Sequence, residues 1–149
     1  MEKENIYGNV SHDPENHQIM CELRAEKVNR VADYIKPQSV RGEESGDLLI
    51  VSLGRNLWCN DRGLERNAGT RKKVSLAHFH HIHPLPRNTE EIFSRFKKII
   101  VPELNLGQFV LHLRMNFRQF KFEQYNKIQG LPFMVKELVD KFNQILEED

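Results

Sequence analysis

This chain has little of what marks the specialised protein classes. Its only cysteines are Cys21 and Cys59, far apart and with no C-x-x-C pairing. A disulfide scaffold and a thiolate zinc site are therefore not expected, and two isolated thiols suit a reducing cytoplasm. No apolar run approaches the roughly 18 residues that a membrane span requires. The opening MEKENIYGNVSHDPENH is polar and acidic, unlike a secretory leader. Charge of one sign is also missing: 22 Lys and Arg face 21 Asp and Glu, for a formal net charge of +1. No global field then draws the chain to nucleic acid or to a membrane surface. There is no P-loop, no complete G-x-G-x-x-G and no Ser/His/Asp ordering. What is left, 149 residues with 39% hydrophobic and 29% charged, fits one soluble globular domain with a short appendage.

The pattern along the chain is that of an α/β protein. Residues 1–13 read as disordered or extended. Asp13-Pro14 supplies a cap followed by proline at the first helical position. Ile19, Leu23, Val28, Val31 and Ile35 then form an apolar stripe on a helix that Pro37 stops. Residues 38–46 are a linker by composition. Residues 47–52, 74–79 and 98–101 are apolar runs of the kind found in parallel strands covered on both faces. A weaker alternation over 120–128 suggests a fourth strand. Helices are expected over 88–96, with Asn88 as cap and Glu91 at the capping-box position, over 107–117, and over 135–146 with Leu138, Val139, Phe142 and Ile145 inward. The expected fold is α/β in three layers: a mostly parallel sheet with helices on both faces, preceded by an N-terminal helix. Residues 1–46 form the N-terminal segment, helix and linker, and 47–149 the α/β domain.

Residues 53–71 resist this scheme. A parallel crossover of that length should be helical, yet Gly54, Gly63, Gly69 and four Asn or Asp residues interrupt any helical period. One reading is an irregular loop. The other comes from the genetic code: read one base later, permitted codons give the stop-free string WGGTYGAMTAAWNEMQEQG. That string has a glycine-rich turn, a good helix former and a terminal glycine. Two compensating frameshifts, near Leu53 and in the codons of Lys72 and Lys73, would produce it. Without a crossover helix, one face of the sheet would be uncovered and the fold marginal.

Three clusters have chemical potential. In Ile99–Gln108, Glu103, Asn105, Gly107 and Gln108 crowd the turn from a strand into a helix, where open α/β sheets place ligands. They suit binding of a polar group or a partner. Equally, Asn105 suits a cap and Glu103 an acceptor for free helix amides. His78, His80, His81 and His83 form HFHHIHP, whose spacing matches no zinc pattern. Arg114, Arg118 and Lys121 interleave with Phe117, Phe120 and Phe122, which fits a solvated basic face on an aromatic core better than a nucleic-acid site.

Three segments then point to a family. KVSLAHFHHIHPLP, IIVPELNLGQ and KIQGLPF resemble the carboxyl-terminal portion of the α subunit of 2-oxoacid:ferredoxin oxidoreductases, most closely the 2-oxoglutarate type. GNVSHDPENH and the helix containing Arg24-Ala25-Glu26-Lys27 resemble the segment before it. The shifted string GGTYGA resembles the family's glycine-rich turn after the first strand, which the chain lacks around Leu53–Leu57. The resemblance implies a domain like the carboxyl-terminal domain of transketolase, serving assembly and support. It implies a complex that oxidatively decarboxylates 2-oxoacids with coenzyme A, thiamine diphosphate, Mg and iron–sulfur clusters, and reduces ferredoxin. A separate β subunit binds thiamine. This chain is then expected to be an inactive carboxyl-terminal fragment that binds no cofactor alone. Glu103, Asn105, Gly107 and Gln108 would contact the rest of the complex. The rivals are a stand-alone binding module for a small polar ligand at the same turn, and a histidine-metal enzyme built on residues 78–83.

Overall fold

The computed structural model describes residues 2–54, 59–63 and 72–148. Its centre is a four-stranded sheet built from β3 (Gly46–Leu53), β4 (Val74–Phe79), β5 (Phe96–Glu103) and β6 (Phe122–Asn126). The spatial order is β4-β3-β5-β6, and all three pairings are parallel. Because side chains alternate along a strand, each central strand feeds two cores. Leu49, Val51, Ile99 and Val101 enter one face, where α2 (Thr89–Ser94) and α3 (Gln108–Asn116) supply Ile92, Phe93, Phe109, Val110 and Leu113. Leu48, Ile50 and Ile100 enter the other, against Phe133 and the Leu138, Phe142 and Ile145 stripe of α4 (Val135–Glu147). Each large side chain so buried is worth about 1.5–3 kcal/mol. The three-layer arrangement expected from the sequence is therefore present.

The first core is unusually aromatic. Phe93 has the rings of Phe117, Phe120 and Phe122 around it with centroids 5.4, 5.8 and 5.3 Å away. Phe120 and Phe122 also meet each other edge to face at 6.4 Å. Of the interleaved cations, Lys121 stays outside and pairs with Glu123 at 2.7 Å. Pro102 is tolerated in the sheet interior because pairing of β5 with β3 stops at Ile100, after which β5 pairs with β6 alone. A missing N–H there costs no ladder bond on the β3 side.

Several expectations need correction. Of the two readings of the opening segment, disordered or extended, the structure has the second: β1 (Glu2–Lys3) pairs antiparallel with β2 (Val10–Ser11). The helix at 88–96 ends at Ser94, and Phe96 starts β5 because Gly46 pairs with it. Asn88 does not cap that helix with its side chain. It instead binds the linker, accepting from Gln38 N at 2.8 Å and donating to Gln38 O at 2.9 Å. Glu91 pairs with Arg95 one turn on rather than closing a capping box. Helix α1 (Pro14–Arg30) starts on Asp13 as expected, with Glu15 N donating to its carboxylate at 3.0 Å. A 3₁₀ turn (Val31–Asp33) follows it. None of the residues of α1 is buried, so the apolar stripe read from the sequence faces outward along it: Ile19 is 50% exposed and Val31, just past its end, 46%.

The crossover from β3 to β4 also differs from expectation. Residues 59–63 are helical. Cys59 belongs to the second core, and a Cβ on Gly63 would lie 3.1 Å from Phe142 Cε2. That face of the sheet is thus covered by this helical piece together with Phe133 and α4. Most of the stretch 53–71, on which the frameshift reading rests, lies outside the described residues.

The linker lies along the outer edge of β4. Arg41 and Leu76 exchange backbone hydrogen bonds of 2.8 and 2.9 Å, and Ser75 Oγ donates to Glu43 O at 2.8 Å.

Candidate functional site

The turn from β5 into α3 is built around one buried carboxylate. Glu103, the last residue of β5, is 4% exposed. Its Oε1 accepts from Phe109 N and its Oε2 from Val110 N, both at 2.9 Å. The first N–H groups of a helix have no intrahelical acceptor, and the helix dipole favours negative charge beside them. Glu103 meets both demands from six and seven residues upstream. Asn105 completes the arrangement, its Oδ1 accepting from Gly107 N at 2.7 Å and Gln108 N at 3.0 Å.

Gly107 is required twice over. Its φ of 93° lies in the left-handed region, which side chains disfavour. A Cβ at this position would also fall 2.3 Å from Gln124 Nε2. That amide is held from the far side by Arg114, whose Nη1 donates to Gln124 Oε1 at 3.0 Å and whose Nη2 donates to Phe122 O at 2.7 Å. Gln124 escaped the sequence reading, and Arg114, expected there on a solvated basic face, instead reaches into the fold to hold it. The only signal was a basic residue on α3 ten positions before an amide on a weakly alternating strand.

The structure therefore brings Glu103, Asn105 and Gly107 into one hydrogen-bonded turn. The side chain of Gln108 stands apart from it, exposed and with no hydrogen-bond partner among the described residues. Leu104 and Leu106 are exposed as well, Leu106 by 73%. Chemically, the turn is committed. Glu103 and Asn105 spend their oxygens on backbone amides, which leaves a rigid corner presenting two leucines and an amide. The corner suits contact with another surface better than capture of a small polar ligand.

The histidine segment is dispersed. His78 is half-buried on β4 and its Nδ1 lies 2.7 Å from Ser52 Oγ. Burial, and then the neighbouring His80, push its pKa below the usual imidazole value, so His78 is neutral at pH 7. The His78 and His80 rings meet edge to face at 4.8 Å. His83 turns toward His112, whose Nε2 lies 2.9 Å from Ile82 O. Among the described residues, three potential metal ligands come together at Glu2, His17 and Cys21, and not in this segment. A cavity of about 720 Å³ runs between the end of α1 and the β4 edge, lined in part by Val31, Ile35, Gln38, His78 and His80.

No family profile matches the chain. Two curated relatives do. The 2-oxoglutarate oxidoreductase subunit KorA of Mycobacterium tuberculosis is 29% identical over 140 residues, 93% of this chain and 21% of the relative. The α subunit of 2-oxoacid:ferredoxin oxidoreductase 1 of Aeropyrum pernix is 32% identical over 143 residues, 90% of this chain and 22% of the relative. The chain thus spans about a fifth of the length of the curated relatives it matches. Among solved structures, 2-oxoglutarate:ferredoxin oxidoreductase from Magnetococcus marinus, with 2-oxoglutarate, coenzyme A and succinyl-CoA bound, superposes with a TM-score of 0.89 at 26% identity, over 98% of this chain and 26% of that one. In sequence and in fold, nearly the whole of this chain is similar to a carboxyl-terminal part of the α subunit of 2-oxoacid:ferredoxin oxidoreductases.

Proposed function

We propose that this chain acts as the carboxyl-terminal support domain of the α subunit of a 2-oxoglutarate-type 2-oxoacid:ferredoxin oxidoreductase. The complex would oxidatively decarboxylate a 2-oxoacid to its acyl-CoA and pass the electrons to ferredoxin. One observation carries this reading: the superposition over 98% of the chain at a TM-score of 0.89 on an enzyme solved with 2-oxoglutarate and coenzyme A.

The residues present fit a supporting role. A cubane or two-iron cluster needs about four thiolates, and this chain has only Cys21 and Cys59. Glu103 is turned into the fold and bound to two amides, so it offers no carboxylate to thiamine diphosphate or to Mg. Those groups and the iron–sulfur clusters are assigned to other parts of the complex, thiamine to a β subunit, in a cytoplasmic setting. The chain alone is inactive on this view. Leu104, Leu106 and Gln108 are the docking residues, held in place by Glu103, Asn105 and Gly107. A stand-alone module using this turn as a ligand site is disfavoured, because both oxygens of Glu103 and the Oδ1 of Asn105 are already engaged by backbone amides.

Co-expression tests the proposal. The tagged chain is produced with an α subunit of such an oxidoreductase lacking the matching domain, together with its β subunit. The expected result is co-purification and recovery of 2-oxoglutarate-dependent ferredoxin reduction, both weakened by Leu106→Asp and Gln108→Glu. Assembly of the other subunits while this chain elutes alone would reject the reading.

A further inference from the structure

We propose that Glu2, His17 and Cys21 form a binding site for a borderline-soft divalent cation of the zinc class. The sequence argued against thiolate zinc sites because the cysteines are isolated. The structure supplies the missing ligands from elsewhere. His17 and Cys21 are four residues apart on α1, so they share one face. The β1–β2 hairpin, whose register pairs Glu2 with Ser11, returns Glu2 to that face. Asn16 fixes the approach by donating to Lys3 O at 3.2 Å. One ligand atom from each of the three residues lies within 4.8 Å of the others.

The spacing is close to what a metal demands. Tetrahedral zinc with bonds of about 2.0 Å to nitrogen and about 2.3 Å to sulfur holds those two atoms about 3.5 Å apart. His17 Nε2 and Cys21 Sγ are separated by 3.7 Å. Glu2 Oε2 is 3.3 Å from His17 Nδ1, the other nitrogen of that ring, and takes the third ligand position by rotating off it. The Glu2 side chain is 17% exposed and that of His17 64%, so the site is open on one side for entry. One sulfur, one nitrogen and one carboxylate with a free fourth position is a donor set that suits zinc better than calcium or magnesium.

A cation already occupies this spot. Arg24 Nη2 lies 2.7 Å from Glu2 Oε2 and 3.3 Å from Cys21 Sγ. The guanidinium thus sits between the carboxylate and the thiol that the metal would need. The Arg24 side chain is 52% exposed and can leave into water. The metal and the guanidinium are then rival counter-ions for the same two ligands, which gives the site an unusual signature: removal of a cation should strengthen cation binding.

Titration of the 149-residue chain with Co²⁺, monitored by absorption, tests this. The expected result is a thiolate-to-cobalt charge-transfer band in the near ultraviolet that saturates at one equivalent and is displaced by Zn²⁺. Cys21→Ser should abolish the band. His17→Asn and Glu2→Gln should weaken binding by roughly tenfold or more, and Arg24→Gln should tighten it severalfold. Cys59→Ser and His80→Asn should change nothing. The proposal is overturned if the wild-type chain, folded by circular dichroism, gives no such band with excess cobalt. It is also overturned if the band survives Cys21→Ser or disappears with Cys59→Ser.

Discussion

The chain leaves its sheet at the carboxyl end of two central strands, and each exit buries a polar residue. After β5 this is Glu103, with two amide donors at 2.9 Å. After β3 it is Asn60, fully buried, with neither Oδ1 nor Nδ2 hydrogen-bonded. The difference is one of partners. A helix N-terminus offers orphan donors, so a carboxylate beneath it satisfies the helix and itself. The interior of a small helical piece packed on Phe142 offers none, and an orphan amide costs about 1–3 kcal/mol. Asn60 is therefore a poor fit to its site. The shifted reading of 53–71 places methionine at position 60 and alanine at position 63, which are apolar choices where the structure is apolar. The orphan amide is a physical reason, independent of the codons, to sequence the DNA of this segment.

The contrast can be broken or sharpened by mutation. The largest effect is expected for Glu103→Leu, which strands two buried amides and should cost about 3 kcal/mol in urea unfolding. A loss under 1 kcal/mol would mean that water reaches this turn. Gly107→Ala forces a side chain into the left-handed region against Gln124, at a cost of about 2 kcal/mol. Pairing it with Gln124→Ala should recover the steric part alone. Asn60→Met should have the opposite sign, raising stability by about 1–2 kcal/mol. A destabilised variant would show that Asn60 has partners in solution, and the two exits would then be alike.

The smallest effect concerns pH. Lys127 Nζ pairs with Glu137 Oε2 at 2.7 Å, and Met134 N donates to the same carboxylate. These contacts, Lys127 first, hold the Glu137 carboxyl below its ordinary range. A carboxyl depressed in the folded state stabilises above its unfolded pKa and loses that contribution as pH falls through the folded value. Glu137→Gln should therefore lower stability slightly near neutral pH, leave it little changed at the acid end and so flatten the acid limb, as followed by thermal melts between pH 3 and 7, roughly the carboxylate titration range and above.

Much of this was legible in the sequence, for local reasons. Continuous apolar runs marked β3, β4 and β5, and the Glu103–Gln108 turn was visible because helix starts use few residue types. Its two readings, functional contact or capping, could not be separated until both carboxylate oxygens were seen to face amides. What escaped depends on distance along the chain. Asn88 binds Gln38, fifty residues away, so its capping role could not be judged locally. A hairpin with two-residue strands has no period to detect, which hid β1 and β2 and with them the approach of Glu2 to His17. The stripe on α1 was read correctly as a pattern, but periodicity does not tell whether a partner surface lies within the same chain.

The strip of linker along β4 has a further consequence. An edge strand exposes unpaired N–H and C=O groups that invite other chains. Arg41 occupies both groups of Leu76, and Gln38 Nε2 covers His78 O at 2.9 Å. The linker is thus a guard against edge-to-edge pairing, and a proteolytic nick within 38–45 should raise the tendency of the chain to associate through β4, as followed by light scattering.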